Sequence, residues 1–137
     1  MDAMMSTDLA LTLRDAGLVW HPVSGDWFQL DEPEFDADVF TVSEMTIEPR
    51  TYPTGSILAF NGTTEWALDS VALEDALWLP REDQLRELLR GAFRSLTRLA
   101  DTYRVEISVR GEPRAFEHPE PADAYGLAVL ELLRRIA

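Results

Sequence analysis

The chain reads as a single α+β domain: an antiparallel sheet with helices packed mainly on one face, in the order α-β-β-β-β-α-β-β-α. Three observations predict this. Apolar stripes at helical spacing mark three separated helices. Period-2 alternation between turn signals marks the strands. The strands come in runs with short connections, which favours antiparallel pairing. A length of 137 residues suits one domain over 1–137, and 46% hydrophobic residues supply a core.

The first helix is capped by Ser6 or Thr7, carries Asp8 in its first turn and stops at Gly17. Leu9, Leu13 and Ala16 share its apolar face. A loop or wide hairpin containing Pro22, Ser24 and Gly25 leads into a strand over Asp26–Leu30. DEPEFDAD, with five acids in eight residues, reads as a solvated loop. The next segment alternates from Val39 to Ile47 without a clean apolar face, which predicts a bulge or bend. SILAF and TEWAL form an antiparallel pair around Asn61-Gly62. DSVALEDA fits a short strand, a turn or a helical turn.

The strongest periodic element is a helix from about Arg81 to Ala100. Its stripe is Leu85, Leu88, Leu89, Ala92, Phe93, Leu96 and Leu99, and Pro80 suits its start. YRVEISVRGEPRAFEH is a hairpin turning at Gly111-Glu112. PADAYGLAVLELLRRI closes the chain as a helix buried along Tyr125, Ala128, Val129, Leu132 and Ile136. Gly126 costs that helix ~1 kcal/mol against alanine, which implies a close approach to the sheet.

Composition excludes several chemistries. There is no cysteine, hence no disulfide framework and no thiolate chemistry. All 12 basic residues are arginine, so neither a Schiff-base lysine nor a phosphate-loop lysine is available. His21 and His118 each precede a proline and lack metal-ligand spacing. The acidic run Asp31, Glu32, Glu34, Asp36 and Asp38 lacks the grammar of a calcium loop. No cofactor and no metal are expected. No apolar run approaches the ~20 residues of a membrane helix, and the acidic start differs from a signal peptide. The expected setting is cytoplasmic.

Charge is segregated. Residues 1–80 hold 15 Asp/Glu and two Arg, whereas residues 81–137 hold ten of each. An acidic surface repels nucleic acid and attracts basic protein. The candidate binding residues fall into three groups. Trp20 and Trp27 flank HPVSGD, with Asp26 at its end, where an exposed aromatic marks a contact surface. Glu65 and Asp69 lie on the rim of the TEWAL strand, too far apart along it for a direct acid/base dyad. Arg86, Arg90, Arg94 and Arg98 recur every four residues as a stripe on the long helix, able to receive an acidic partner or the chain's own acidic part.

Three blocks carry a resemblance: LALTLRDAGLVW with GDWF, FNGTTEWALDSVALEDALWLPREDQLRELL, and YRVEISV with AYGLAVLELL. Together they resemble a family of small uncharacterised bacterial proteins with shorter-matching phage relatives. Members are sometimes labelled pilus assembly proteins of the CpaE type, which carry a lysine-bearing ATPase loop that this chain lacks. The resemblance implies a fold unit in an intracellular bacterial setting and supplies no catalytic residues.

The expected function is non-catalytic binding of another protein, through an acidic surface in residues 1–80. Neither a membrane nor direct nucleic-acid contact is expected. An exposed edge of the 103–118 hairpin leaves a homodimer open. One alternative is an acidic decoy of a DNA-binding protein. The other is an enzyme built on carboxylates and arginines, with a concave pocket near Glu65, Asp69 or the 82–98 segment.

Overall fold

The computed structural model describes residues 4–30, 38–42, 47–52, 55–60, 70–72 and 75–136, with the strands between 47 and 72 described by their backbone alone. It is an α+β chain in which every strand pairing is antiparallel. The described residues form three helices and three three-stranded sheets, where a single sheet was expected. The chain divides into two compact units: Met1–Val19 with Pro80–Ala137, and Trp20–Leu79.

The first unit opens with α1, Thr7–Asp15. The Ser6 hydroxyl accepts the Leu9 N–H at 3.3 Å, and Gly17 leaves the helix at φ 112°, as the sequence predicts. After the second unit the chain returns as α2, Glu82–Leu89, which buries Leu85 and Leu89. The Arg81 N–H donates to Gln84 Oε1 at 2.9 Å, which satisfies one free donor at the helix start.

Here the structure corrects the sequence reading. The helix expected to run to Ala100 ends at Leu89. A 3-10 turn over Arg90–Ala92 follows, then strand β7, Phe93–Arg98. The break falls at Arg90, whose φ of 51° lies outside the helical range, and Gly91 comes next.

Strand β7 pairs with β8, Tyr103–Val109, which pairs with β9, Glu112–His118. The hairpin is as predicted, but its two loop residues are Arg110 and Gly111, because Glu112 already pairs with Val109. Both have positive φ, 53° and 82°, as the favoured two-residue hairpin turn requires. Val105 and Ile107 are buried on one face of the sheet. Arg104, Glu106 and Ser108 point the other way, where Arg104 meets the opposed Glu117 at 2.8 Å.

The closing helix α3, Pro121–Ile136, occupies its predicted span and packs against α1, α2, β8 and β9. Its buried side begins with Ala122, Asp123, Ala124 and Tyr125 and continues through Ala128, Val129 and Leu130. Two details differ from expectation. Ile136 is 81% exposed rather than buried. Gly126 marks an approach to α1 and not to the sheet: a Cβ there would lie 2.6 Å from Met5 Cε and 2.8 Å from Leu9 Cδ2.

In the second unit, β1 (Trp27–Leu30) lies between β2 (Phe40–Thr41) and β6 (Ala76–Leu79). Leu77, Trp78 and Leu79, just before the Pro80 at which the helix was expected to start, therefore belong to a strand. The alternating segment from Val39 divides between β2 and β3 (Ile47–Tyr52), which lie in different sheets. β3 pairs with β4 (Gly55–Phe60), and β4 with β5 (Ser70–Ala72). The expected TEWAL strand, the DEPEFDA stretch and Asn61-Gly62 lie outside the described residues.

Candidate functional site

The second unit is organised by a buried carboxylate. Asp26 is 1% exposed, yet it is an acid. Its Oδ2 accepts the Trp20 indole N–H at 2.9 Å and the Val23 N–H at 3.1 Å. Its backbone also closes the loop: Asp26 N–H donates to the Val23 carbonyl, and the Asp26 carbonyl accepts from Val42 N–H. A buried polar group is costly without such partners. Trp20 is buried, stacks on Trp78 with centroids 6.4 Å apart and planes 10° apart, and tilts against Phe28 at 5.5 Å. The structure thus brings Trp20 and Asp26 together as a packing and hydrogen-bonding motif, and of the two tryptophans that flank the loop it buries Trp20. Trp27 is half-buried in β1, opposite Thr41 and Leu79. Exposure in this loop falls instead on His21, Val23 and Ser24.

Glu65 and Asp69 lie outside the described residues. The four arginines do not form a stripe, because they do not share a helix. Arg86 is on α2, Arg90 ends it, and Arg94 and Arg98 are on β7. Arg94 Nη1 turns back to the Gly91 and Phe93 carbonyls at 2.6 and 3.0 Å.

The first unit assembles a polar surface where α2 and α3 begin. Arg86 Nη1 donates to the hydroxyl of the buried Tyr125 at 3.4 Å, and the guanidinium carbon lies 6.0 Å from that ring's centroid. The hydroxyl holds the guanidinium above its ordinary pKa. Phe93 tilts against the same ring at 5.8 Å. Burial raises the Glu82 carboxyl above its usual range; Arg86 opposes this, while Glu120 and Asp83 add to it. Asp83 is shifted downward: burial raises it, but the Arg81 hydrogen bond and charge, with Arg86, outweigh that.

A second carboxylate ties helices together. Asp123, in the first turn of α3, is buried, and its Oδ1 accepts the Ser6 N–H at 2.8 Å. Its Oδ2 is 3.5 Å from His118 Nε2, while His118 Nδ1 accepts the Glu120 N–H at 2.9 Å. Both imidazole nitrogens are engaged inside the fold. Sequence reasoning missed Asp123 and the Arg86–Tyr125 contact. Their signal is tertiary: an acid three residues into a helix caps that helix by default, and nothing local says that it reaches residue 6.

Chemically, the α2–α3 surface presents carboxylates beside a fixed guanidinium, which suits hydrogen bonding to a polar partner. Among the described residues, no group of three His, Cys, Asp or Glu could hold a metal ion. No described helix is long and apolar enough to cross a membrane. Comparison with protein-family models, curated proteins and solved structures finds no match to this chain.

Proposed function

We propose that the protein acts by binding another protein, with the acidic residues of its second unit as the attracting surface. The observation that supports this reading is the coincidence of a charge boundary with a structural one. Residues 20–79 carry 12 of the 25 Asp/Glu and a single arginine, a net of −11 out of −13. A field of one sign on one compact unit steers an oppositely charged partner and repels nucleic acid. An intracellular bacterial setting, which the resemblance of the sequence implies, would make that partner a cytoplasmic one. The test is paired capture from a lysate of the source organism, using the full chain and a variant carrying D31N, E32Q, E34Q, D36N and D38N. A basic protein retained by the wild type and lost by the variant supports the reading. Identical retention by both, or none by either, overturns it. Capture of a DNA-binding protein in competition with duplex DNA would specify the decoy form of the same reading.

A further inference from the structure

The hairpin turn and the last turns of α3 enclose a groove of about 600 Å³, lined by Val109, Arg110, Leu132, Arg135 and Ile136. Its apolar part is made by Val109, Leu132 and Ile136. Ile136 stands four residues after Leu132 on an amphipathic helix, where burial is the norm, and is nonetheless 81% exposed. The arginines are not equivalent. Arg135 Nε donates to Glu131 Oε2 at 2.7 Å, and its Nη2 is 3.9 Å from Glu112 Oε1, which also lies 3.6 Å from Arg114. Arg110 makes no hydrogen bond or ion pair among the described residues, and the positive φ of the turn fixes its backbone. Arg110, Arg114 and Arg135 outnumber Glu112 and Glu131 here by one, on a chain of net charge −13. That local inversion of sign, joined to an apolar floor, is a recognition pattern distinct from the acidic second unit.

We propose that this groove docks a short segment of another protein in which an apolar side chain is flanked by carboxylates. The apolar group covers Val109, Leu132 and Ile136, and the carboxylates take Arg110 and the outer side of Arg135. The complementarity fits a peptide better than a nucleic acid. Glu112 and Glu131 would face a phosphate chain, and a floor of aliphatic side chains offers no stacking platform for bases.

The test is a random dodecapeptide phage library panned on the full chain, followed by fluorescence anisotropy with the enriched peptide. Arg110→Glu and Ile136→Asp are the variants. Both positions are exposed, so circular dichroism and melting are expected to match wild type. The expected result is enrichment of sequences with one or two large apolar residues among Asp and Glu, and at least a tenfold weaker affinity for each variant, the scale of a lost charge-assisted contact. No enrichment, enrichment of basic or uncharged sequences, or wild-type affinity in either variant overturns the proposal. So does a single-stranded 20-mer oligonucleotide whose binding is abolished by Arg110→Glu, because it assigns the groove to nucleic acid. The five-carboxylate variant of the second unit is expected to leave this result unchanged, so the two readings fail separately.

Discussion

At the scale of single residues, the strongest constraint is the carboxylate of Asp26. Removing it leaves the buried Trp20 indole without an acceptor and takes one from the part-buried Val23 amide. Asp26→Ala is expected to destabilise the chain by about 3 kcal/mol, read by urea unfolding with tryptophan fluorescence. Asp26→Asn keeps one acceptor oxygen and is expected to lose less. Two neighbours in the first turn of α2 respond to pH in opposite senses. Glu82 has a raised folded-state pKa, so its ionisation disfavours the folded state as pH rises through that value. Glu82→Gln is therefore expected to stabilise the protein at neutral pH and to make no difference at about pH 3, where both states are protonated. Asp83 has a lowered folded-state pKa. Its contribution is complete above the ordinary aspartate pKa and is lost as pH falls below that, through the folded value. Denaturation of Asp83→Asn across the acid range should show its deficit above the ordinary pKa and none at the acid limit. Arg90 is strained at φ 51°, and Arg90→Gly is expected to raise stability by about 1 kcal/mol in the same assay.

At the scale of elements, legibility followed regularity. α1 and α3 were legible because Ser6, Gly17 and Pro121 mark ends that the structure uses, and the 103–118 hairpin because its period-2 pattern is unbroken. The segment after Leu89 was not legible, for a specific reason. β7 has a register shift between Phe93 and Ser95, so Phe93 pairs with Ile107 and Leu96 with Val105 although they are three residues apart. A bulge turns strand spacing into helical spacing, and the apolar stripe from Leu85 then runs on without a visible break. Gly91 beside Arg90 was the available stop signal. The arginine stripe vanished with the helix, since a four-residue repeat has a common face only on a helix. Trp20 and Asp26 were offered as binding residues and are buried against each other, because burial of an aspartate depends on donors that the sequence does not order in space. At the α1–α3 contact, Gly126→Val is expected to destabilise by about 3 kcal/mol in equilibrium unfolding, since its first carbon already overlaps Met5 and Leu9. Gly126→Ala is expected to cost less, because those are side-chain ends that can move and alanine favours the helix by about 1 kcal/mol.

At the scale of the whole molecule, the chain interrupts one compact unit after Val19 and resumes it at Pro80, and the intervening residues hold nearly all of the excess charge. The first unit balances its arginines with acids, several in ion pairs such as Arg104–Glu117 and Arg135–Glu131. The second has no comparable supply of cations. Charge of one sign opposes compaction, and the proposed function supplies an external counter-charge to it. The central claim is that this counter-charge is a basic protein. It is tested most directly by the paired capture repeated at about 50 mM and about 300 mM salt, where the screening length falls from roughly 14 to 6 Å. The account predicts a partner retained by the wild type at low salt, released at high salt and absent with the five-carboxylate variant. Retention that is indifferent both to salt and to those five carboxylates would contradict it.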